Sequence, residues 1–287
     1  MSSGRPTLLR LTTEYLLRSI ADMEWVNIGV FEDRQEQADL QYLDDLHQRG
    51  VAVTISDGGI NDHSDRHAKA MACAQQRRLA VDWFLECSSK GDLLFLKDDD
   101  VLVPWQSIVA AAEDLAALGK TDYAPRIGAL TLYGPAGHTG GIWKRGEQAF
   151  TQLRLSGEAH VLLSREALIA TGNQFTPDHD KGFADTQWAA FTAHGWRYVT
   201  RLWPPYEVQH LGFGPGGSCI HDQQTHPPFW CLGPYRTLYP RRDQQIIKVP
   251  GFDLETFTRY AHAKGGETAA AKFLQKGDSP WNAVAVT

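Results

Sequence analysis

An apolar run ending in three consecutive aspartates, LLFLKDDD at residues 93–100, constrains the fold of this chain more than any other feature. Consecutive apolar side chains suit a strand buried on both faces. Three adjacent carboxylates repel one another and need water or a cation. Both demands are met when the strand lies inside a sheet and the acids stand at its carboxyl edge, where open α/β sheets bind ligands. Pro104, just beyond, suits the first turn of a helix. A hard divalent cation, Mn2+ or Mg2+, is the natural neutraliser, held by one or two carboxylates and completed by substrate phosphates. A solvated acidic turn is the plainer reading of the same residues.

Around this run, helical and strand patterns alternate, the signature of an α/β sheet. Helical spacing covers 12–23, 36–48, 65–88 and 104–118, and apolar runs at 26–31, 51–55 and 93–96 predict strands. Further along, strand-like runs at 126–133 and 158–163 flank the Gly-rich GPAGHTGGIW. A helix over 183–194 closes on Gly195, and WRYVTRL reads as a strand. Residues 204–250 mix Pro, Gly, His and aromatics without periodicity and predict a long loop or lid, before helix returns over 252–275. A composition 43% hydrophobic and 22% charged excludes a disordered chain. With 28 Lys and Arg against 34 Asp and Glu, the net charge of −6 argues against wholesale binding to nucleic acid or anionic membrane. The absence of a long apolar stretch, of a signal-peptide pattern and of any CxxC leads to the expectation of a cytoplasmic protein without a transmembrane segment.

LLFLKDDDVLVP resembles the DxD segment of the GT-A glycosyltransferases, and other pieces fall in the order of a family-2-like member. VNIGVFEDR resembles the second strand, which implies Asp33 near the nucleotide. RRLAVDWFLECSSKGDLLFL resembles the helix and strand leading to the DxD, and GEAHVLLSREALIATG the acceptor-side wall. KGFADTQWAAFTAHGWRYV resembles the helix that supplies the catalytic base, which falls on Asp185. VQHLG resembles a strand end carrying a metal-binding His, here His210. The resemblance implies a Rossmann-like, mostly parallel mixed sheet flanked by helices over residues 1–215. An irregular lid and helical appendage would follow over 216–287. It also departs from the family in three places. The first strand is barely visible, so that either Thr7–Leu11 serves as a shortened strand or the nucleotide pocket is less complete. The usual Glu-Asp pair reads Ala184-Asp185. The register of the DxD is open: aligned on LVP the first Asp falls on Lys97, and aligned on the DDDV pattern it falls on Asp98. Asp100 is then the principal metal ligand with Asp98 toward ribose or metal, and Asp99 the alternative.

The implied chemistry is metal-dependent, inverting transfer of a sugar from a nucleotide-diphosphate donor, UDP-sugar favoured, to a hydroxyl on a glycan, lipid-linked sugar or modified nucleic acid. Asp185 would take the acceptor's proton, while the cation offsets charge on the leaving diphosphate. As a residue at a helix start, Asp185 also reads as a simple first-turn acid. Arg66 and Arg77, on the helix before the acidic strand, are candidate nucleotide contacts. His210 is either a third ligand, favouring Mn2+, or a structural His. Cys219, His221, His226 and Cys231 lack a familiar zinc spacing. Two other readings stand beside the transferase: a nucleotidyltransferase, and a degenerate fold that only binds nucleotide or glycan.

Overall fold

The structure, a computed structural model, describes residues 5–20, 26–32, 38–56, 66–87, 92–118, 126–132, 138–153, 160–175, 183–204, 206–211, 252–264 and 266–275. Two compact units are present: one from residues 24–98 and 106–206 with the first four residues, the other from 5–23, 99–105 and 207–287. The expected boundary at 215/216 lies outside the described residues, as does most of the loop or lid predicted over 204–250; of that stretch, 204 and 206–211 are described. No helix among the described residues is long and apolar enough to cross a membrane.

In the first unit, β1 (Gly29–Glu32), α2 (Leu40–Gln48) and β2 (Ala52–Ile55) form a crossover whose strands pair in parallel, Gly29 opposite Ala52. α1 (Pro6–Ser19) belongs to the second unit. The Asp39 carboxylate caps α2 by accepting from the Tyr42 N–H at 3.1 Å. α3 (Arg66–Cys87) is rich in Ala, Gln and Arg, good helix formers. Its buried Ala74, Arg77, Ala80, Val81 and Phe84 recur at helical spacing. Phe31, Phe84, Leu94, Leu96, Val161, Leu163, Phe191 and Tyr198 share one core.

β3 (Leu93–Lys97), β5 (Ile127–Thr131), β6 (His138–Arg145), β7 (Gln148–Leu153), β8 (His160–Ser164) and β9 (Arg197–Trp203) build a six-stranded sheet in the order β3-β8-β5-β9-β7-β6. Only β5 and β9 pair in parallel; the other four pairings are antiparallel. The sheet is therefore mixed, with helices about it, and the expectation of a mostly parallel sheet is corrected. Two features impose this. β6 and β7 turn back on each other through Gly146, at φ +59°, and β6 starts inside the Gly-rich stretch that separated two expected strands. β8 is inserted between β3 and β5, antiparallel to both. Because β8 opposes both neighbours, β3, β5 and β9 run the same way, and their carboxyl ends share one edge. α4 (Trp105–Leu118), α5 (Arg165–Thr171) and α6 (Phe183–Ala193) complete the unit. Gly195 follows α6 at φ +81°, the expected helix stop.

In the second unit, α1 (Pro6–Ser19) is a helix with Pro at its first position. The shortened strand at Thr7–Leu11 is thus corrected: Leu8, Leu11 and Tyr15 fall on one helical face and pack with Leu102, Leu211, Phe257 and Phe273. β4 (Val101–Leu102) pairs antiparallel with β10 (Gln209–His210). The helical stretch expected at 252–275 is two helices, α7 (Leu254–Lys264) and α8 (Gly266–Gln275).

Candidate functional site

In the first unit the apolar strand delivers Asp98 to the carboxyl edge of the sheet. Leu94 and Leu96 of β3 are buried, Lys97 lies opposite His160 of β8, and Asp98 follows directly. Arg77 of α3 reaches this point: its Nη2 donates to Asp98 Oδ1 at 3.1 Å and to Oδ2 at 3.5 Å. The arginine side chain is 3% exposed and the aspartate 28%. Arg77, expected as a nucleotide contact, is buried and holds the first acid of the run in place. Lys97 adds a 2.8 Å bond from its Nζ to the Asp98 carbonyl. Arg66 is the first residue of α3 and Asp185 the third of α6; at both positions only the backbone is described. Asp33 lies outside the described residues.

The start of α6 is fixed by Gln187, which is fully buried. Its Oε1 accepts from the Gln174 N–H at 2.8 Å, and its Nε2 donates to Thr171 Oγ1 at 3.2 Å and to the Gly172 carbonyl at 3.3 Å. The helix bearing Asp185 is therefore registered against the end of α5.

A polar cluster with no signal in the sequence lies beside the end of β9. The buried Asp114 carboxylate of α4 accepts from Arg201 Nη1 at 2.8 Å, Tyr206 Oη at 2.7 Å and Arg145 Nη1 at 3.4 Å. The Arg201 guanidinium sits 3.9 Å from the Tyr206 ring centroid, a cation–π contact. Burial, reinforced by the hydrogen bond to Asp114, pushes the Tyr206 phenol well above its ordinary value. These residues are 31 to 92 positions from Asp114, too far apart for spacing to reveal them.

The other two acids belong to the second unit. Arg5, the residue before α1, donates from Nε to Asp99 Oδ2 at 3.1 Å, from Nη2 to Asp99 Oδ1, and from Nη1 to Asp100 Oδ2 at 2.9 Å. Thr12 Oγ1 donates to the Asp99 carbonyl at 2.8 Å, and the Leu211 N–H to the Asp100 carbonyl at 2.7 Å. His210 is placed opposite Val101 in the β4–β10 pair, again with only its backbone described. In the same unit, burial and the nearby Glu207 raise the Tyr15 phenol.

Against the needs of Mn2+ or Mg2+, the acidic run divides. Asp98 fits: a partly exposed carboxylate has about four lone-pair positions, more than one arginine nitrogen occupies. Asp99 does not fit, because both of its oxygens accept from Arg5 and its side chain is 0% exposed. Asp100, expected as the principal ligand, is buried with Oδ2 on Arg5. Among the described residues no three His, Cys, Asp or Glu side chains form a metal-holding group. A cation completed by substrate phosphates needs only one or two carboxylates.

No family model matches the chain, and no curated protein matches it. Among solved structures it is similar to S. aureus TarS 1-349 in complex with UDP, with a TM-score of 0.41 and 13% identity over 96% of this chain and 90% of that one. It is also similar to A197 from STIV, with a TM-score of 0.34 and 16% identity over 64% of this chain and 84% of that one.

Proposed function

We propose that the chain is a nucleotide-sugar glycosyltransferase, moving a sugar with inversion from a nucleotide-diphosphate donor, UDP-sugar favoured, to a hydroxyl acceptor. The observation that carries this reading is Asp98: a partly exposed carboxylate at the carboxyl end of a buried strand, held by a buried arginine, on the edge where β5 and β9 also end. That edge is where α/β sheets of this kind take their ligands. Asp98 would hold Mn2+ or Mg2+, and the cation when bound offsets the charge of the diphosphate leaving group. Arg77 orients the Asp98 carboxylate, so little ordering remains to be done when donor arrives. Asp185, in the first turn of α6, takes the proton of the acceptor hydroxyl as it attacks. The partial positive charge of that helix end favours its ionised form.

Donor hydrolysis and transfer are measured with UDP-, GDP- and CMP-sugars and Mn2+, for the wild type and Asp185→Asn. The wild type is expected to turn over one donor class with inversion. Asp185→Asn should keep donor affinity and lose ~10²–10⁴ in transfer rate, the usual contribution of a general base. Equal transfer by the variant would remove the base from this reading. Nucleotide binding without turnover of any donor would leave a binding module, and no nucleotide binding would overturn the reading entirely.

A further inference from the structure

We propose that Arg5 is the built-in counter-ion of Asp99 and Asp100, so that these two carboxylates position the acidic turn and are not metal ligands. Three donors of one guanidinium face the pair, two on Asp99 and one on Asp100. This is the fork geometry in which arginine holds carboxylates best, and lysine does not reproduce it. Both acids are buried, Asp99 completely, so a cation there would have to displace the guanidinium as well as shed its water.

The backbone around the pair is held just as firmly. The Asp99 carbonyl accepts from Thr12 of α1, and the Asp100 carbonyl from Leu211, next to the β4–β10 pair. Arg5 itself is anchored through α1. Its carbonyl accepts from the Leu9 N–H at 3.0 Å, opening the helix. The N–H groups of Thr7 and Leu8 donate to the Glu267 carboxylate of α8 at 2.8 and 3.0 Å. Arg5 therefore leaves the fixed end of a capped helix, and its guanidinium is placed before any ligand arrives. The inference does not depend on transferase activity, because of the three acids in the run that proposal draws on Asp98 and not on Asp99 or Asp100.

The sign of a stability change separates the two roles. Carboxylates crowded together for a cation repel one another without it, so neutralising one stabilises the metal-free protein. Carboxylates paired with a buried arginine do the opposite, since their loss strands a buried charge. Thermal unfolding of the full chain is measured in EDTA and then with MnCl2. In EDTA, Asp99→Asn is expected to lower the midpoint by about 5 °C or more, and Asp100→Asn, which faces one Arg5 donor against two for Asp99, by about half as much. Arg5→Met should fall similarly, and the Arg5→Met/Asp99→Asn double variant should fall by less than the two shifts added. Mn2+ should move wild type and Asp100→Asn by the same amount. A midpoint in EDTA that either Asn variant leaves unchanged or raises would overturn the proposal. So would a Mn2+ shift present in the wild type and lost in Asp100→Asn. If Asp99→Asn does not fold, the milder Asp100→Asn carries the comparison. A wild type without any Mn2+ response removes the cation from the proposed function, while the EDTA comparison still decides the role of Arg5.

Discussion

Replacing Asp114 by alanine tests how the first unit is held together, and its cost follows from three contacts of unequal worth. Arg145, 49% exposed, donates across 3.4 Å and is rehydrated when the carboxylate goes, so its share is at most about 1 kcal/mol. Arg201 is different. Its side chain is 10% exposed and lies over the Tyr206 ring, where water cannot replace the lost partner. Breaking a buried pair by removing one member costs about 3–5 kcal/mol. The Tyr206 hydroxyl, also buried, adds about 1–2 kcal/mol as a donor without an acceptor. These terms share one carboxylate and do not simply add, so about 4 kcal/mol is expected for Asp114→Ala. For a chain of this size that lowers the unfolding midpoint by about 8–16 °C. Asp114→Asn keeps an acceptor without the charge and should cost about half as much. Arg145→Ala is the control and should stay within about 1 kcal/mol. Urea unfolding followed by tryptophan fluorescence, with nine Trp in the chain, reads all three. An Asp114→Ala protein no less stable than Arg145→Ala would refute the reasoning.

Two further outcomes follow from the packing and the protons. Tyr15 and Tyr206 hold their protons more tightly when folded than at the ordinary value of 10.0, so the stability they contribute is present below about pH 10 and lost as pH rises beyond it. Urea midpoints should fall through that alkaline range, and Tyr206→Phe should make the fall shallower; an unchanged slope would count against a buried, proton-holding phenol. A methyl group added at Gly128 of β5 would stand 2.7 Å from Ala167 Cβ and 2.8 Å from the Phe191 ring, both in the core. Gly128→Ala should cost about 1–3 kcal/mol by overpacking, with part of the loss restored by shrinking Phe191 to Leu in a double-mutant cycle.

What could be read from the sequence was what local pattern decides. β3, β5 and β8 are apolar runs buried in the sheet, and α3 carries a helical repeat of small and apolar side chains, so each appears close to its expected bounds. Strand direction is not local. Nothing in HVLLS says that it runs against both β3 and β5, and this, with the antiparallel β6 and β7, changed the expected sheet. The β6–β7 hairpin was hidden by its own composition, because Gly140 and Gly141 lie inside a strand and give no strand signal. Residues 7–11 were open to a strand reading only by analogy with a family that has one there. The burial of Leu8, Leu11 and Tyr15, three or four positions apart, is the helical signal that decides otherwise. In the candidate site the carboxylates were visible and their partners were not, since Arg77 is 21 positions from Asp98 and Arg5 is 94 from Asp99.

Three identical side chains in a row thus acquire different chemistry from what reaches them. Asp98 meets a single arginine nitrogen and keeps access to water, so its carboxylate has lone pairs left for another partner. Asp99 and Asp100 meet a whole guanidinium in a buried place, where the attraction is strongest and the cost of losing it highest. The placement of that guanidinium is decided at the other end of the chain. Pro6 has no N–H, and the next two donors of α1 are taken by Glu267, 260 positions from Thr7. A carboxylate at a helix N-terminus is favoured by the helix dipole as well as by its hydrogen bonds, so this contact fixes where α1 begins. Fixing that point fixes Arg5, and Arg5 fixes the turn that carries two of the three acids. The geometry of the acidic turn is therefore a property of the folded second unit, set in part by residues of α8 that no motif search around the aspartates would include.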